Sequence, residues 1–315
     1  MADDKSRSRD SEFRKRRVQR IKKIIVTTVI ILLVLPTILT IFLMVKVFHL
    51  QGQVDDIMTE RAQSQVGETV NDRNQASAGI EPDLVTAAAV TGSAASGTGN
   101  TVTTASKGKV YLTFDDGPGT QTEKILDILK KEKVKATFFV TGKEDSYSKK
   151  MYKRIVKEGH TLGMHSFSNK YSTIYASTEA FEQDFDKISS YLKDVTGVNS
   201  LYYRFPGGSS NEISNVNMAE FVRVLNEKGI TYFDWNVSAG DTSSDYTVDD
   251  VVTNVTEGVK RYKTSVVLLH DGDDKSTTVE ALEPLIQKLQ QMKAEILPID
   301  ENTKVIQYIK ADSVE

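Results

Sequence analysis

Four short segments carry side chains able to hold a metal and to move protons: Thr113-Phe114-Asp115-Asp116-Gly117-Pro118, His165-Ser166-Phe167-Ser168-Asn169, Arg204-Phe205-Pro206-Gly207-Gly208 and Val267-Leu268-Leu269-His270-Asp271. Neighbouring side chains of an extended chain point to opposite sides. Asp115 and Asp116 can therefore share one task only where the backbone bends, and a natural division makes one a metal ligand and the other a general base. Taken alone, the same Asp-Gly pair also reads as an ordinary turn with solvated carboxylates. His165 offers an imidazole and Asn169 a carboxamide; imidazole nitrogen with carboxylate oxygen suits zinc or a similar divalent ion. A catalytic zinc takes three protein ligands and keeps a position open for water. Asn169 Oδ1 is the candidate third ligand here, a weaker donor than an imidazole. Arg204 is a permanent cation that could hold Asp115 ionised and oriented. His270 closes an apolar run, which suits a general acid.

Composition narrows the chemistry further. The 315 residues include no cysteine, which excludes disulfides, thiolate metal sites and a cysteine nucleophile. Histidine occurs only as His49, His160, His165 and His270. His160 precedes its strand-like segment on the side away from His165 and is read as a packed, structural histidine. A formal net charge of −3 supplies no basic footprint, so nucleic acid is not an expected partner. A hydrophobic content of 39% is enough for one large domain with attachments.

The elements that must position these groups begin near residue 109. Strands are expected at 110–114, 136–140, 161–165, 201–205, 231–237, 265–270 and 295–299, and amphipathic helices at 122–133, 148–158, 179–195, 218–228, 248–262 and 278–292. Seven strands separated by helices imply a parallel sheet with right-handed crossovers. Asp115, His165, Arg204, Asp241 and His270 all fall at or just after the C-terminal ends of their strands. Those ends converge on one mouth in a β/α barrel, so the expected fold class is α/β, an incomplete or distorted barrel over residues 109–315.

Upstream, residues 1–23 form a basic segment containing Arg14, Lys15, Arg16, Arg17, Arg20, Lys22 and Lys23. Residues 24–45 are apolar apart from a few threonines and Pro36, long enough to cross a hydrocarbon core of about 30 Å as one helix. The positive-inside rule places the N-terminus in the cytoplasm and the rest outside the cell membrane. A cleaved signal peptide is the competing reading, but the apolar run is long for one and no small-x-small site follows. Residues 46–108 read as a linker, with spaced apolar residues over 50–65 that suit a short helix and an Ala/Ser/Thr/Gly-rich stretch over 76–108. Oligomeric state is not specified.

Together the motifs resemble the polysaccharide deacetylase family that shares the NodB homology domain, carbohydrate esterase family 4. The likeness runs from about Lys109 to Asp300: Thr113–Pro118 matches the first motif, and His165–Asn169 the His-Ser/Thr-x-x-His motif except at its last position. Arg204–Gly207, Trp235–Asp241 and Leu268–Asp271 match the three that follow. The resemblance implies a distorted (β/α)7 barrel that removes N-acetyl groups from a glycan with one divalent ion, zinc, or else cobalt or another divalent ion. In that scheme Asp115 is the base, His270 the acid, Arg204 orients Asp115, and Asp241 supports His270. Asp116, His165 and Asn169 hold the metal, the Gly207 N–H takes the oxyanion, and Leu297, Trp235 and Phe205 line the substrate pocket. Membrane tethering points to a cell-envelope substrate, peptidoglycan N-acetylglucosamine. Two departures stand out: Asn169 replaces the second metal histidine, and Thr242 the tryptophan that often follows the fourth-motif aspartate. The alternative reading is a metal-depleted, non-catalytic glycan-binding or sensing domain. A metal phosphatase is disfavoured, because the Asp-x-Asp spacing and a phosphate-cradling glycine loop are missing.

Overall fold

The structure, a computed structural model, describes residues 108–242 and 246–314. The expected cytoplasmic segment 1–23, the membrane helix 24–45 and the linker up to residue 107 lie outside the described residues. Among the described residues no helix is long and apolar enough to cross a membrane.

Strands and helices alternate as the sequence periodicity requires. The strands are β1 (Lys109–Asp115), β2 (Thr137–Thr141), β3 (Thr161–Ser166), β4 (Tyr202–Tyr203), β5 (Thr231–Tyr232), β6 (Val237–Ser238), β7 (Thr264–His270) and β8 (Glu295–Ile296). The helices are α1 (Thr122–Lys131), α2 (Ser146–Lys157), α3 (Tyr171–Ile174), α4 (Thr178–Thr196), α5 (Met218–Glu227), α6 (Val248–Val259) and α7 (Ser276–Gln291). Local chemistry sets their ends. Asp145 caps α2 by accepting from the Ser148 N–H, Ser177 caps α4, and Thr247 with Asp250 forms a capping box on α6. Gly197, at φ 77°, ends α4 in the left-handed conformation that glycine adopts freely.

Every ladder is parallel, in the order β5-β4-β3-β2-β1-β7-β6, with β8 on β1. The sheet is curled, and its path ends in β5 and β6, which no ladder joins among the described residues. The curl is an open half-barrel, the incomplete form of the expected barrel, with eight strands among the described residues where seven were expected. Two local causes account for the difference. The expected strand 231–237 breaks because the Phe233 and Asp234 carbonyls are taken by Arg204 and the Asp234 N–H by the Ile306 carbonyl. The expected last strand, 295–299, pairs only through Glu295 and Ile296, beside the first residues of β1. There it fills the edge that β2 leaves vacant until Thr113.

The two-residue period of the strands divides the core. Val110, Leu112 and Phe114 of β1, Phe138 and Val140 of β2, and Val267 and Leu269 of β7 pack under the helices. Tyr111, Phe139, Val266 and Leu268 form a second cluster with Phe233, Trp235 and Ile299 on the concave side. Each fully buried side chain of this size stabilises the fold by about 1.5–3 kcal/mol. The register pairs Tyr111 with Val266, Thr113 with Leu268 and Asp115 with His270. Apolar layers therefore rise inside the curl to a rim of ionisable groups.

Candidate active site

The bend that two cooperating aspartates require is present: Asp116 has φ 73°, while Asp115 is the last residue of β1. Asp115 stays on the inner face, and Asp116 turns towards β3. Gly117 follows because a Cβ there would lie 2.1 Å from Asp271 Oδ2. Asp271 itself is fully buried beneath this turn, and burial pushes its carboxyl up to about 7. Thr122 donates to its Oδ2 at 2.6 Å, and the Asp271 N–H donates to the Asp115 carbonyl at 3.1 Å, tying the end of β7 to that of β1.

His165, next to last in β3, has Nδ1 2.8 Å from the Arg204 carbonyl. A carbonyl only accepts, so Nδ1 carries the hydrogen and Nε2 presents its lone pair. That Nε2 lies 3.5 Å from Asp116 Oδ1. A buried imidazole oriented by a backbone carbonyl is the usual arrangement of a metal-ligating histidine. Asn169, at φ 51°, donates from Nδ2 to the same Asp116 oxygen at 3.0 Å. Asp184 of α4 shapes the intervening loop, accepting from Ser166 Oγ, the Phe167 N–H and the Ser168 N–H at 2.7, 2.7 and 2.9 Å. Among the described residues no group of three or more His, Cys, Asp and Glu side chains gathers to hold a metal. The convergent donors are one carboxylate, one imidazole and one amide. They fit a divalent ion of mixed N/O preference once the Asn169 amide presents its oxygen.

Arg204 has no exposed surface. Its Nη1 donates to Asp115 Oδ1 at 2.9 Å and to Thr113 Oγ1 at 2.6 Å, while Nε and Nη2 donate to the Phe233 and Asp234 carbonyls. The guanidinium stacks 4.3 Å from the Phe139 ring centroid. Such a cation is tolerable in the interior only because it is paired and bonded on every side. At the end of β7, His270 Nδ1 lies 3.0 Å from Asp241 Oδ1, and the His270 backbone N–H donates to Asp241 Oδ2 at 2.7 Å. Thr278 also donates to Asp241 Oδ2 at 2.7 Å. Burial works to lower the basicity of His270. The Asp241 carboxylate outweighs it, with Asp116 and Asp115 adding, and holds the imidazole at about 9. The same pairing keeps Asp241 below the usual carboxylate range despite its burial. Phe205 to Gly208 form a β-turn closed by the Gly208 N–H on the Phe205 carbonyl at 2.8 Å, with Gly207 at φ 76°.

Asp115, Asp116, His165, Asn169, Arg204, Asp241 and His270 come together at the C-terminal ends of the strands. The three pocket-lining expectations fit less well. Phe205 is fully buried in the helix-facing core against Phe181, Tyr203 and Tyr232. Alternation explains this, since an inward Arg204 sends its neighbour outward. Leu297 donates its N–H to the Val110 carbonyl, about 16 Å along β1 from Asp115. Trp235 is buried in the inner cluster with its ring 5.6 Å from the Arg204 guanidinium, a wall beneath the site. Leu268, two residues before His270 and on the same face, is the apolar residue just below that imidazole. Sequence reading also passed over Thr113, Asp184 and Asp271. The two-residue alternation from Asp115 could have found Thr113, but nothing marks Asp184 among the acidic residues of its helix.

A sequence model described as polysaccharide deacetylase matches residues 103–233. The protein YheN of Bacillus subtilis is 34% identical over 188 residues, which is 58% of this chain but 64% of YheN. A peptidoglycan-N-acetylglucosamine deacetylase of Bacillus cereus is 31% identical over 197 residues, 61% of this chain and 86% of its own length. The catalytic domain of peptidoglycan N-acetylglucosamine deacetylase from Eubacterium rectale superposes with a TM-score of 0.61 at 40% identity, covering 64% of this chain and 93% of that one. Motif order, curled parallel sheet and these relatives agree: the chain belongs to the polysaccharide deacetylase family, with the NodB-type domain of carbohydrate esterase family 4.

Proposed function

We propose that this domain hydrolyses N-acetyl groups of a cell-envelope glycan, peptidoglycan N-acetylglucosamine, with the help of one divalent ion at Asp116, His165 and Asn169. One observation carries the reading. Asp115 and His270 face each other in register on adjacent strands, each with its own buried partner, Arg204 and Asp241. A binding module has no need of a base and an acid so equipped. The substrate class follows from relatives named as peptidoglycan N-acetylglucosamine deacetylases. The basic-then-apolar N-terminal sequence supports a membrane-tethered, extracytoplasmic location.

An ion held at this site, zinc or else cobalt, supplies Lewis-acid polarisation of the acetyl carbonyl and a readily ionised water. Asp115 Oδ1 is fixed by Arg204, which leaves Oδ2 to take the proton as the water oxygen adds to the carbonyl carbon. The Gly207 N–H holds the resulting oxyanion. His270 is protonated at neutral pH, and with Nδ1–H anchored on Asp241 its Nε2–H is given to the leaving nitrogen. The C–N bond breaks, and acetate and a free amine leave. Adding the full-length chain, loaded with zinc, to acetylated peptidoglycan and assaying acetate tests this reading; a metal-loaded chain that releases none overturns it.

A second reading has one specific observation behind it. The Asn169 amide N–H donates to the Asp116 oxygen that would bind the ion, so an amide could stand where a metal stands in an active enzyme. Metal analysis separates the two: an empty site with intact glycan affinity favours a non-catalytic binding domain.

A further inference from the structure

The Phe205–Gly208 turn is of a kind open to two conformations, and a buried hydroxyl bonds its central carbonyl. Its central residues are Pro206 and Gly207, it is closed by the Gly208 N–H on the Phe205 carbonyl at 2.8 Å, and Gly207 has φ 76°. A positive φ at the third position defines a type II turn. The type I alternative keeps the same closing bond and turns the central peptide over by about 180°. Pro-Gly accepts both, because proline fits the second position of either and glycine tolerates either sign of φ.

The central peptide is trans, since Gly117-Pro118 is the cis bond among the described residues. Its carbonyl and N–H therefore point in opposite directions. The Pro206 carbonyl accepts from Tyr175 Oη at 2.7 Å, with Asn211 Nδ2 more distant at 3.5 Å. Tyr175 follows α3 and is buried in the helix-facing core, its ring against Tyr171 and Phe221. Burial raises its hydroxyl well above the ordinary tyrosine range, so it stays a donor. With the carbonyl drawn to the helix side, the Gly207 N–H faces the other way, the side on which Arg204 meets Asp115.

We infer that Tyr175 is a positioning residue: its hydroxyl, through the Pro206 carbonyl, holds the Phe205–Gly208 turn in the type II state that aims the Gly207 N–H at the developing oxyanion. This rests on the deacetylase reading above. In the type I state the carbonyl oxygen replaces the N–H and opposes the negative charge.

Tyr175→Phe keeps the ring and removes only the donor. One hydrogen bond of ordinary strength biases such an equilibrium by about three- to tenfold. The expected result is a kcat lowered by up to that factor with KM and metal affinity unchanged. The Gly207 amide resonance, followed by ¹⁵N–¹H NMR in the full chain, should move or broaden as the peptide exchanges between states. Gly207→Ala, which disfavours the positive φ, should lower kcat further and without rescue by Tyr175. An unchanged kcat and unmoved Gly207 amide in Tyr175→Phe overturn the inference. If the parent chain releases no acetate, the deacetylase reading fails instead, while the amide resonance still reports whether Tyr175 sets the turn.

Discussion

Replacing Asp241 with asparagine should move the alkaline limit of activity rather than merely lower the rate. Asp241 is buried and bonds both Nδ1 and the backbone N–H of His270, and its charge is what lifts the imidazole to about 9 against the opposing effect of burial. A general acid works only while protonated, so activity should hold below pH 9 and fall as pH rises through it. Asparagine preserves the size and one acceptor but removes the charge. Burial then dominates, and the His270 value should fall to about 6.5 or below. At pH 7.5 the protonated fraction drops from about 97% to about 9%, so protonation alone predicts at least about a tenfold loss. Loss of orientation adds to this, up to the ~10²–10⁴ a general acid contributes. The assay is acetate release across pH 5–10 for parent and Asp241→Asn, with metal content measured in parallel. An alkaline limb that stays near 9 in the variant, at a uniformly lower plateau, refutes the assignment.

Three further outcomes follow from the same geometry. Arg204→Met should destabilise the domain by about 3–5 kcal/mol, because Asp115 is left buried without its counter-ion; a thermal melt reads this, and an unchanged midpoint contradicts it. Stability should be nearly level on the acid side and fall as pH rises from about 6 through 9. Burial lowers His160 to about 4, a contribution lost as pH falls from 6.5 towards 4, but burial also raises Asp271 to about 7, a contribution lost as pH rises from about 4 through 7, and the two offset; that of His270, raised to about 9, is lost as pH rises from 6.5 through 9. Denaturant midpoints from pH 4 to 10 test this profile, and His160→Gln should leave stability falling with pH from about 4 upward. Asn169→His should tighten zinc binding by about 10–100-fold, since it replaces a competing amide donor with an imidazole at a left-handed position that histidine tolerates better than most residues; calorimetry with zinc measures it.

Much of this architecture is legible in the chain because it rests on local periodicity. Val110–Phe114 and Val267–Leu269 announce strands buried on both faces, and the groups that end them, Asp115 and His270, prove to be register partners. What the sequence conceals is non-local. The break in strand 231–237 depends on Arg204 claiming two carbonyls, and Arg204 lies 29 and 30 residues away. The placing of Phe205 follows from the alternation rule applied from an inward Arg204, whereas Leu297 lies far from the site because β8 slots in beside the start of β1. Asp184 and Tyr175 act on the site through hydrogen bonds to loops, and neither residue type nor spacing marks them in advance.

Metal content and acetate release, measured on the same sample of full-length chain with peptidoglycan, test the central claim most directly. The cluster of Asp116, His165 and Asn169 predicts about one divalent ion per chain, and the pairs Asp115–Arg204 and Asp241–His270 predict steady acetate release, both present in the parent, with release lost but metal retained in Asp115→Asn. A parent chain that holds its ion and glycan yet liberates no acetate would contradict it.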